Sequence, residues 1–418
     1  MNFPQITQWL DAHVDEMIEL QRQLTAHPAL NPEAGGEGEW DKANMLENWL
    51  AEHGLGPAEH YDTPDERLEE DARPNFVVRI PGQTDGPVTW VMTHLDVVPP
   101  GEQAEDGTWT GWDSDPFVLC RKGDRLYGRG VEDNQQSMVA SVFAARVLQE
   151  LDIHPPRPVA LLFVSAEETG SEYGLQRLLQ DNPHLFADDD IILVPDGGND
   201  EGTMIEVAEK SVLWLTFTIE GQQTHGSTPQ LGCNAFRAGI HLALALDEGL
   251  AQNFGEDDEL YHPPTSTFEP TRHLRNVPNV NTVPGEEVLS FDCRVLPRYD
   301  LDDVLEFVRE KVGEIDEEFG TRTEFEIENR LDAPPPTPTD APIIPMLEKA
   351  VREVYEVEAE PMGFGGSTVA AYFRKAGYPA VVWSRFTATA HQSNECCLIP
   401  NMLGDSKVMA HLYMQNGG

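Results

Sequence analysis

Three short apolar runs, each ending in polar or acidic residues, constrain the fold of this chain more than any other feature of its sequence. The runs read VTWVMTHLD, PVALLFVSAEE and IILVPDGG, and a helical stretch, MVASVFAARVLQEL, separates the first two. Strands that alternate with helices are typical of parallel sheets, because a parallel pair needs a long crossover connection. The sequence therefore predicts an α/β fold with a mostly parallel sheet.

A second pattern begins after Asp196. The runs SVLWLTFTIEG, NAFRAGIHLALALDEGL, VLSFDCRVLP, DVLEFVREKVGEI and TEFEIEN read as strand, helix, strand, helix and strand, which indicates a separate α+β unit of ferredoxin-like type. The proline-rich segment LDAPPPTPTDAP then favours extended backbone, and a helix and a strand of the first pattern follow it. We predict one domain in two parts, residues 1–208 and 330–418, interrupted by an inserted domain over residues 209–329.

The charge of the chain excludes two classes of partner. The 418 residues include 73 acidic and 28 basic side chains, for a net charge of −45. A field of this sign repels nucleic acids and anionic membranes, so we expect neither as a partner. Because the acidic residues are spread along the whole chain, we interpret them as an adaptation to a high-salt cytoplasm. An ordinary protein that is unusually acidic is the alternative interpretation.

The cysteines and the N-terminal segment bear on the compartment. Five cysteines without a Cys-x-x-Cys spacing argue against a disulfide framework or a cysteine zinc site. The segment MNFPQITQWLDAHVDEM lacks the basic and apolar regions of a secretory signal, and no apolar run approaches the roughly 18 residues of a membrane span. We therefore expect a cytoplasmic protein.

Polar side chains follow each predicted strand. His94 and Asp96 stand two positions apart, so a strand would point both to one face at its carboxyl end, where open α/β sheets bind ligands. Asp96 is near enough to orient a metal-binding imidazole, although a single His-x-Asp pair is more often structural. Glu167 and Glu168 follow the second strand and point in opposite directions, so one could bind a metal while the other faces a water molecule. A solvated loop start is the alternative in a chain this acidic.

Three further residues complete a candidate metal site. Asp196 ends the third strand, Asp133 lies near the start of a helix after a glycine turn, and His391 follows a late strand. With His94 and Glu168 they form a nitrogen and oxygen ligand set suited to zinc or a neighbouring divalent ion such as cobalt or manganese. Five protein ligands are too many for one open catalytic zinc. A bridging carboxylate, with Asp133 as the candidate, predicts two metal ions about 3.5 to 4 Å apart.

The sequence resembles a known family of zinc hydrolases over nearly its full length. This family includes acetylornithine deacetylase, succinyl-diaminopimelate desuccinylase, carboxypeptidase G and aminoacylase. The motifs that carry the resemblance are, in family order, THLDVVP, WTGWDSDPF, LYGRGVEDNQQS, SAEETGSEYG, VPDGG, THGSTP, NVNTVPG, FDCRVLP, GFGGST and AHQSNE. The resemblance implies that the metal ligands are His94, Asp133, Glu168, Asp196 and His391. It also implies that Asp96 supports His94 and that Glu167 is the general base.

The resemblance assigns further roles to the inserted domain. It implies a lid that commonly dimerises, so we expect a homodimer formed through this domain. His225 would reach the neighbouring subunit's active site to stabilise the oxyanion, and Asn281 and Arg294 would help to bind substrate.

A late glycine-containing loop completes the expected substrate site. The loop residues Gly365, Gly366 and Ser367 suit close approach of the backbone to a substrate carboxylate.

Two departures from the family pattern stand out. Asp133 is followed by Asn134, Gln135 and Gln136, where many relatives have Asp-Lys-Gly, so the bridging carboxylate is kept in altered surroundings. Val369 stands where the desuccinylases commonly have an aspartate, which leaves specificity for succinyl-diaminopimelate open.

These observations predict a metal-dependent hydrolase that cleaves the amide bond of N-acyl amino acids. A small-peptide exopeptidase of the same family is the alternative, because the two differ only in pocket shape. A hypothesis from another class is an acidic metal-binding protein that has lost catalysis. Such a protein would be expected to lose Asp96, Glu167 or His225, and this chain keeps all three.

The net charge generates a prediction about salt. Self-repulsion at −45 should make folding and dimerisation depend on concentrated salt, since a Debye length of about 3 Å near 1 M screens most of it. Thermal melts across a salt series should show a melting temperature that rises steeply towards molar salt. A melting temperature that stays flat from dilute buffer upward contradicts the halophilic interpretation.

Overall fold

The computed structural model of the protein describes residues 3–366 and 368–416. The chain forms two compact units. The first comprises Met1–Val207, Thr337–Pro361 and Thr368–Gly418, and the second comprises Ala208–Pro336 and Met362–Ser367.

The helices are, in chain order, α1 (Phe3–Ala12), α2 (Val14–Ala26), α3 (Trp40–Glu52), α4 (Gln136–Glu150), α5 (Leu175–Asp181), α6 (Ala235–Phe254), α7 (Leu301–Phe319), α8 (Ile343–Tyr355), α9 (Ala370–Lys375) and α10 (Ile399–Tyr413). The strands are β1 (Ala58–His60), β2 (Thr63–Pro64), β3 (Ala72–Arg73), β4 (Phe76–Ile80), β5 (Thr89–His94), β6 (Cys120–Lys122), β7 (Arg125–Tyr127), β8 (Val159–Val164), β9 (Ile191–Asn199), β10 (Met204–Glu209), β11 (Ser211–Glu220), β12 (Thr224–His225), β13 (Thr267–His273), β14 (Thr282–Val283), β15 (Glu286–Val295), β16 (Arg322–Leu331), β17 (Glu360–Phe364), β18 (Ala380–Arg385) and β19 (Cys396–Leu398).

The central feature of the first unit is a large mixed sheet with strand order β1-β4-β8-β5-β9-β18-β10-β17. The neighbours β8, β5, β9 and β18 run parallel, whereas β1 with β4, β4 with β8 and β10 with β18 are antiparallel. The three apolar runs of the sequence are the adjacent strands β8, β5 and β9. The predicted α/β fold with a mostly parallel sheet is therefore confirmed.

Burial on both faces explains the composition of these central strands. Every residue of β5 and of β8 is buried, because helices and loops cover a parallel sheet on both sides. Trp90, Phe163 and Val382 are completely buried in this core. Since the middle of these strands is mostly apolar, the charged side chains of this region lie towards the carboxyl ends of the strands.

The second unit has the ferredoxin-like order of elements, β11-α6-β13-β15-α7-β16, with an antiparallel sheet ordered β13-β15-β11-β16. Its core includes Phe217, Leu242, Phe291 and Val308. The helix α7 begins where the Asp300 side chain accepts a hydrogen bond from a backbone N–H of the first turn, and it ends at Gly320, which has a left-handed backbone.

The boundaries of this unit differ from the predicted 209–329. The strand β16 pairs with β11 up to Leu331, so an end at residue 329 would cut a hydrogen-bonded strand. The segment Met362–Ser367, which we placed in the last part of the first domain, also belongs to the second unit. There the Gly363 amide donates to the carbonyl oxygen of Leu260.

The helices and the cysteines bear on the expected compartment. Within residues 3–366 and 368–416, no helix is both long enough and apolar enough to cross a membrane. All five cysteines are unpaired thiols, of which Cys120 and Cys233 are only half-buried.

Candidate metal centre

The carboxyl ends of the central strands bring four of the predicted site residues together. His94 is the last residue of β5, Glu167 and Glu168 form the turn after β8, and Asp196 lies in β9. Because β8, β5 and β9 are parallel neighbours, their carboxyl ends meet at one edge of the sheet. Strand adjacency therefore explains why these side chains converge.

Asp133 lies at the centre of this group. Its Oδ1 lies 3.0 Å from His94 Nε2, which is also 3.4 Å from Asp196 Oδ1. Its Oδ2 lies 3.1 Å from His391 Nε2, which is 3.0 Å from Glu168 Oε2. Each oxygen of Asp133 thus faces a different histidine, and each histidine faces a second carboxylate.

The donor atoms of this cluster suit divalent metal ions. Ligand atoms of His94, Asp133 and Glu168 lie within 4.8 Å of one another, and so do those of His94, Glu167 and Asp196. Imidazole nitrogens with carboxylate oxygens form a set that zinc and neighbouring divalent ions accept. Four carboxylates beside two imidazoles leave excess negative charge, which is unfavourable in a buried site without cations. The residues present therefore fit the metals that the sequence predicts.

The hydrogen bonds of His94 determine which of its nitrogens is available. Nδ1 lies 3.0 Å from the backbone carbonyl oxygen of Asp96, and because a carbonyl only accepts, Nδ1 carries the proton. The neutral ring therefore presents an unprotonated Nε2 to Asp133, which is the tautomer that a metal ligand needs.

The carboxylate of Asp96 lies near His94 and binds the turn after β8. Its Oδ1 lies 3.6 Å from His94 Nδ1, too far for a good hydrogen bond. Instead its oxygens accept the backbone N–H groups of Glu167 and Glu168, each at 3.0 Å, and the side-chain amide of Asn31. Asp96 thus orients His94 through its carbonyl oxygen and the turn after β8 through its carboxylate.

Burial and mutual repulsion raise the pKa values of three carboxyl groups in the cluster. Burial raises the pKa of Glu168 to about 7, and burial together with the charge of Asp196 raises the pKa of Glu167 well above its ordinary value. Burial also raises the pKa of Asp196. Asp133 differs, because hydrogen bonds from both histidines outweigh its burial and lower its pKa.

The pKa values of the two histidines are raised, as expected beside an excess of negative charge. Hydrogen bonds to Asp133 and Glu168 raise the pKa of His391 to about 10. Burial opposes protonation of His94, yet the charge of Asp196 raises the pKa of its ring well above the ordinary range. In the absence of metal, protons on the imidazoles therefore offset part of the negative charge.

Of the substrate-binding residues that we predicted, Asn281, Arg294, Gly365 and Gly366 lie in the second unit, and Ser367 lies outside the described residues. His225 is exposed in β12, where its Nδ1 lies 2.7 Å from the Ser227 hydroxyl and its Nε2 lies 3.4 Å from the Asn281 side-chain amide.

Arg294, also in the second unit, forms two hydrogen bonds to Asp292, at 2.7 and 3.0 Å, and donates to the carbonyl oxygen of Gly365 at 3.1 Å. Gly366 follows in the same loop, next to Phe364. The charge of Arg294 is therefore already paired.

Sequence reasoning missed several buried polar residues that support the centre. Asn134 donates to Asp196 Oδ1 at 2.9 Å, and Lys42, buried in α3, donates to the carbonyl oxygen of Leu95 at 2.8 Å. Asn134 was noted only as a departure from the family pattern, and Lys42 reads as an ordinary helix residue. Val369, the other departure, is buried in the core of the first unit.

Comparisons with known proteins identify the family of the chain. Residues 90–415 match the model of peptidase family M20/M25/M40. An uncharacterized metallohydrolase of Methanocaldococcus jannaschii is 36% identical over 413 residues, covering 94% of this chain and 98% of the relative. A succinyl-diaminopimelate desuccinylase of Nitrosomonas eutropha is 29% identical over 317 residues, covering 74% and 78%.

Solved structures show the same fold at low sequence identity. Human carnosine dipeptidase 1 superimposes with a TM-score of 0.75 at 16% identity, covering 99% of this chain and 98% of that chain. A dipeptidase of Saccharomyces cerevisiae gives a TM-score of 0.71 at 16% identity, with the same coverage. The family model and the metallohydrolase relative carry the assignment: the chain belongs to peptidase family M20/M25/M40 and is a metallohydrolase that acts on amide or peptide bonds.

Proposed function

We propose that this enzyme hydrolyses the amide bond of N-acyl amino acids at a two-metal centre, with Glu167 as the general base. The observation that carries the proposal is the position of Asp133, whose two oxygens face two different histidines. His94 and Asp196 would hold one metal ion, His391 and Glu168 the other, and Asp133 would bridge them. We propose zinc as the metal, although cobalt and manganese also accept these ligands.

The metal ions and the protein supply different parts of the chemistry. When bound, divalent ions act as Lewis acids that polarise a carbonyl group and lower the pKa of a water molecule. The protein must then accept the proton of that water and deliver it to the leaving amine. In this assignment the two ions have their ligands without Glu167, whose carboxylate lies within 4.8 Å of ligand atoms of His94 and Asp196 and is therefore placed for that task.

Two properties of Glu167 support its role as proton carrier. Within the described part of the chain its carboxylate accepts no hydrogen bond, so its oxygens are available to a water molecule. Burial and the nearby charge of Asp196 raise its pKa, and a carboxylate with a raised pKa is a stronger base than an ordinary one. The Asp96 carboxylate fixes its backbone.

His225 is the proposed donor to the developing oxyanion. A backbone N–H of Ser227 donates to its Nδ1 at 3.2 Å, so the neutral ring carries its proton on Nε2 and can donate it. Asn281 adjoins this nitrogen.

Arg294 and the loop Gly365–Ser367 would bind the substrate carboxylate. Arg294 would then share its guanidinium between the substrate and Asp292.

We propose that the enzyme is a homodimer formed through the second unit, which would act as the lid. Three apolar residues of α6 support this, since Phe236, Ile240 and Leu244 are 40%, 52% and 53% exposed and recur every four residues on one helix face. An exposed apolar stripe of this kind is typical of an interaction surface. A groove of about 220 Å³ beside it is lined by residues of α6 and β13.

A small-peptide exopeptidase remains the second candidate, because solved structures with this fold include dipeptidases. A screen of the metal-loaded enzyme in molar salt distinguishes the two. We expect a higher kcat/KM for N-acetyl and N-succinyl amino acids than for dipeptides and tripeptides. Hydrolysis of the peptides alone would favour the exopeptidase.

The role of Glu167 predicts a separation of metal binding from turnover. Glu167→Gln should keep the metal content of the wild type while kcat falls on the order of 100 to 10,000-fold, because the general base is removed and the ligands are not. Metal analysis and steady-state kinetics check this, with the exposed Glu172→Gln as a control expected to behave as wild type. Parallel loss of metal and activity would make Glu167 a ligand instead.

The raised pKa values predict how stability depends on pH without metal. Glu168, with a pKa of about 7, keeps a proton that the unfolded chain has released, so its contribution to stability is lost as the pH rises to about 7. The contribution of protonated His391 is lost as the pH rises towards about 10. Metal binding requires both groups to be deprotonated.

The melting temperature of the metal-free enzyme should therefore fall between about pH 6 and about pH 9, and the increase caused by zinc should grow over that range. Thermal melts of chelator-treated and zinc-loaded enzyme at constant salt measure both. An equal zinc effect at every pH contradicts the proposed ligands.

The dimer proposal predicts complementation between two inactive variants. His225→Ala should lower kcat by roughly 100 to 1,000-fold with metal content unchanged, whereas the exposed His184→Ala should have no effect. If His225 acts across the interface, mixing His225→Ala with Glu167→Gln subunits should restore activity, because one site of the mixed dimer has both groups. Mixed dimers verified by mass that stay inactive would place His225 within its own subunit.

A further inference from the structure

Two loops of the first unit carry the residues on either side of the proposed second metal. The Asp133 loop, residues 130–135, follows β7, and the His391 loop, residues 386–395, precedes β19. The strands β7 and β19 pair antiparallel, with Tyr127 opposite Cys396. The start of the Asp133 loop and the end of the His391 loop therefore lie side by side, although the loops are far apart in the sequence.

Glu395, the last residue of the His391 loop, binds the Asp133 loop. Its carboxylate accepts the backbone N–H groups of Gly130, Glu132 and Asp133, at 2.9, 2.9 and 3.1 Å. The Arg129 guanidinium donates to it as well, at 2.7 Å. Converging backbone N–H groups form an anion site, and here the anion is a completely buried side chain of the protein.

Gly130 makes this arrangement possible. Its φ is +81°, in the left-handed region, and a Cβ atom there would lie 2.5 Å from Val97 Cγ1. Any other residue would be strained and would clash.

Glu132, in the Asp133 loop, makes the reverse connection. Its Oε1 accepts the backbone N–H of Thr387 at 2.5 Å and also the Thr387 hydroxyl. Its Oε2 accepts the backbone N–H of Thr389 at 2.5 Å and the Thr389 hydroxyl at 2.6 Å. Glu132 is completely buried, so these four donors replace the water that its carboxylate gives up.

Outside its contacts with Glu132, the His391 loop is tied to the segment before β6 by the Asn394 side chain, which accepts the Asp113 N–H at 2.8 Å and donates to the Gly111 carbonyl oxygen at 3.0 Å. It contains no helix or strand within the described residues, and the side chain of His391 is 55% exposed. Ala388, His391 and Asn394 have φ values of +60°, +62° and +60°, which are unfavourable for residues other than glycine. A strained and exposed loop keeps one conformation only when its surroundings impose it.

We propose that Glu132 and Glu395 are positioning residues that bind the Asp133 loop and the His391 loop to each other through reciprocal carboxylate contacts, and thereby hold Asp133 and His391 at the separation that metal binding requires. The inference rests on the proposed function, because it takes both residues as metal ligands. Neither glutamate contacts substrate in this assignment. Each acts on a ligand through the backbone of the opposite loop.

The test compares zinc affinity among variants of the full-length enzyme. Glu132→Gln and Glu395→Gln each replace one acceptor oxygen with an NH₂ group that faces N–H donors. We expect zinc affinity, measured by competition with a chelator, to fall about 10 to 100-fold, as is typical when residues behind metal ligands are changed. Turnover should fall as well and recover in part when zinc is added.

Asp190→Asn is the matched control. Asp190 is also a buried carboxylate that accepts three N–H groups, those of Val88, the Trp90 indole and Ala187, at 2.7, 2.8 and 2.9 Å. It lies at the opposite ends of β5 and β9, where these strands begin. Its variant should lower the melting temperature without changing zinc affinity, which separates a positioning effect from a general loss of stability.

Thr387→Val provides a milder variant in case either glutamine variant fails to fold. It removes one hydroxyl donor to Glu132 and keeps the backbone contact. A smaller loss of zinc affinity, about twofold to tenfold, is expected from one hydrogen bond.

The proposal is wrong if Glu132→Gln and Glu395→Gln fold and bind zinc as tightly as the wild type. If neither variant folds, wild-type zinc affinity in Thr387→Val overturns it. His391→Ala distinguishes this failure from a failure of the proposed function. If His391→Ala weakens zinc binding and the positioning variants do not, the metal centre stands and the reciprocal contacts have no positioning role. If His391→Ala also binds zinc as the wild type does, His391 is not a ligand and the two-metal centre itself is wrong.

Discussion

Crowding and repulsion among partly buried carboxylates are the constraint on which the rest of the first unit depends. Asp133, Glu167, Glu168 and Asp196 share the space at the carboxyl ends of the central strands with only two imidazoles. Burial disfavours the ionised form of each carboxyl group and the neighbouring carboxylates add repulsion, so three of these four have raised pKa values. The site is therefore unfavourable by itself and becomes favourable when cations occupy it, which is the physical basis of a metal-dependent enzyme.

The surrounding structure keeps these groups in place against that repulsion. The Asp96 carboxylate orients the turn of Glu167 and Glu168 through two backbone N–H groups, and Asn134 fixes Asp196. Behind them Lys42 is fully buried, and burial lowers its pKa to about 8 although nearby carboxylates oppose the shift. These residues make hydrogen bonds that a less constrained loop would lose to water, so the cluster is preorganised for metal binding.

Several residues of the site could be predicted because the end of an apolar strand can be recognised from the local sequence. His94, Glu168 and Asp196 each stand where an apolar strand ends, and parallel neighbours bring such positions together. Asp133, after a glycine turn, and His391, after a late strand and its loop, have weaker local signals, and the resemblance to a family supported both as ligands. The carboxylates Glu132 and Glu395 could not be predicted, because an acidic residue in a chain of 73 acidic residues carries no signal of burial. The end of the second unit was also misplaced, since strand pairing up to Leu331 depends on a partner strand far away in the sequence.

The sequence by itself determined the fold class and the identity of the chemical groups. Apolar periodicity records which faces of an element are buried, and that information is local. The tertiary structure decided which atoms meet. Only the sheet order, which places β18 from the end of the chain next to β9, brings the His391 loop to the strands that carry His94 and Asp196. Contacts between distant loops arise from packing and hydrogen bonding across the whole unit, and no pattern within a single loop encodes them.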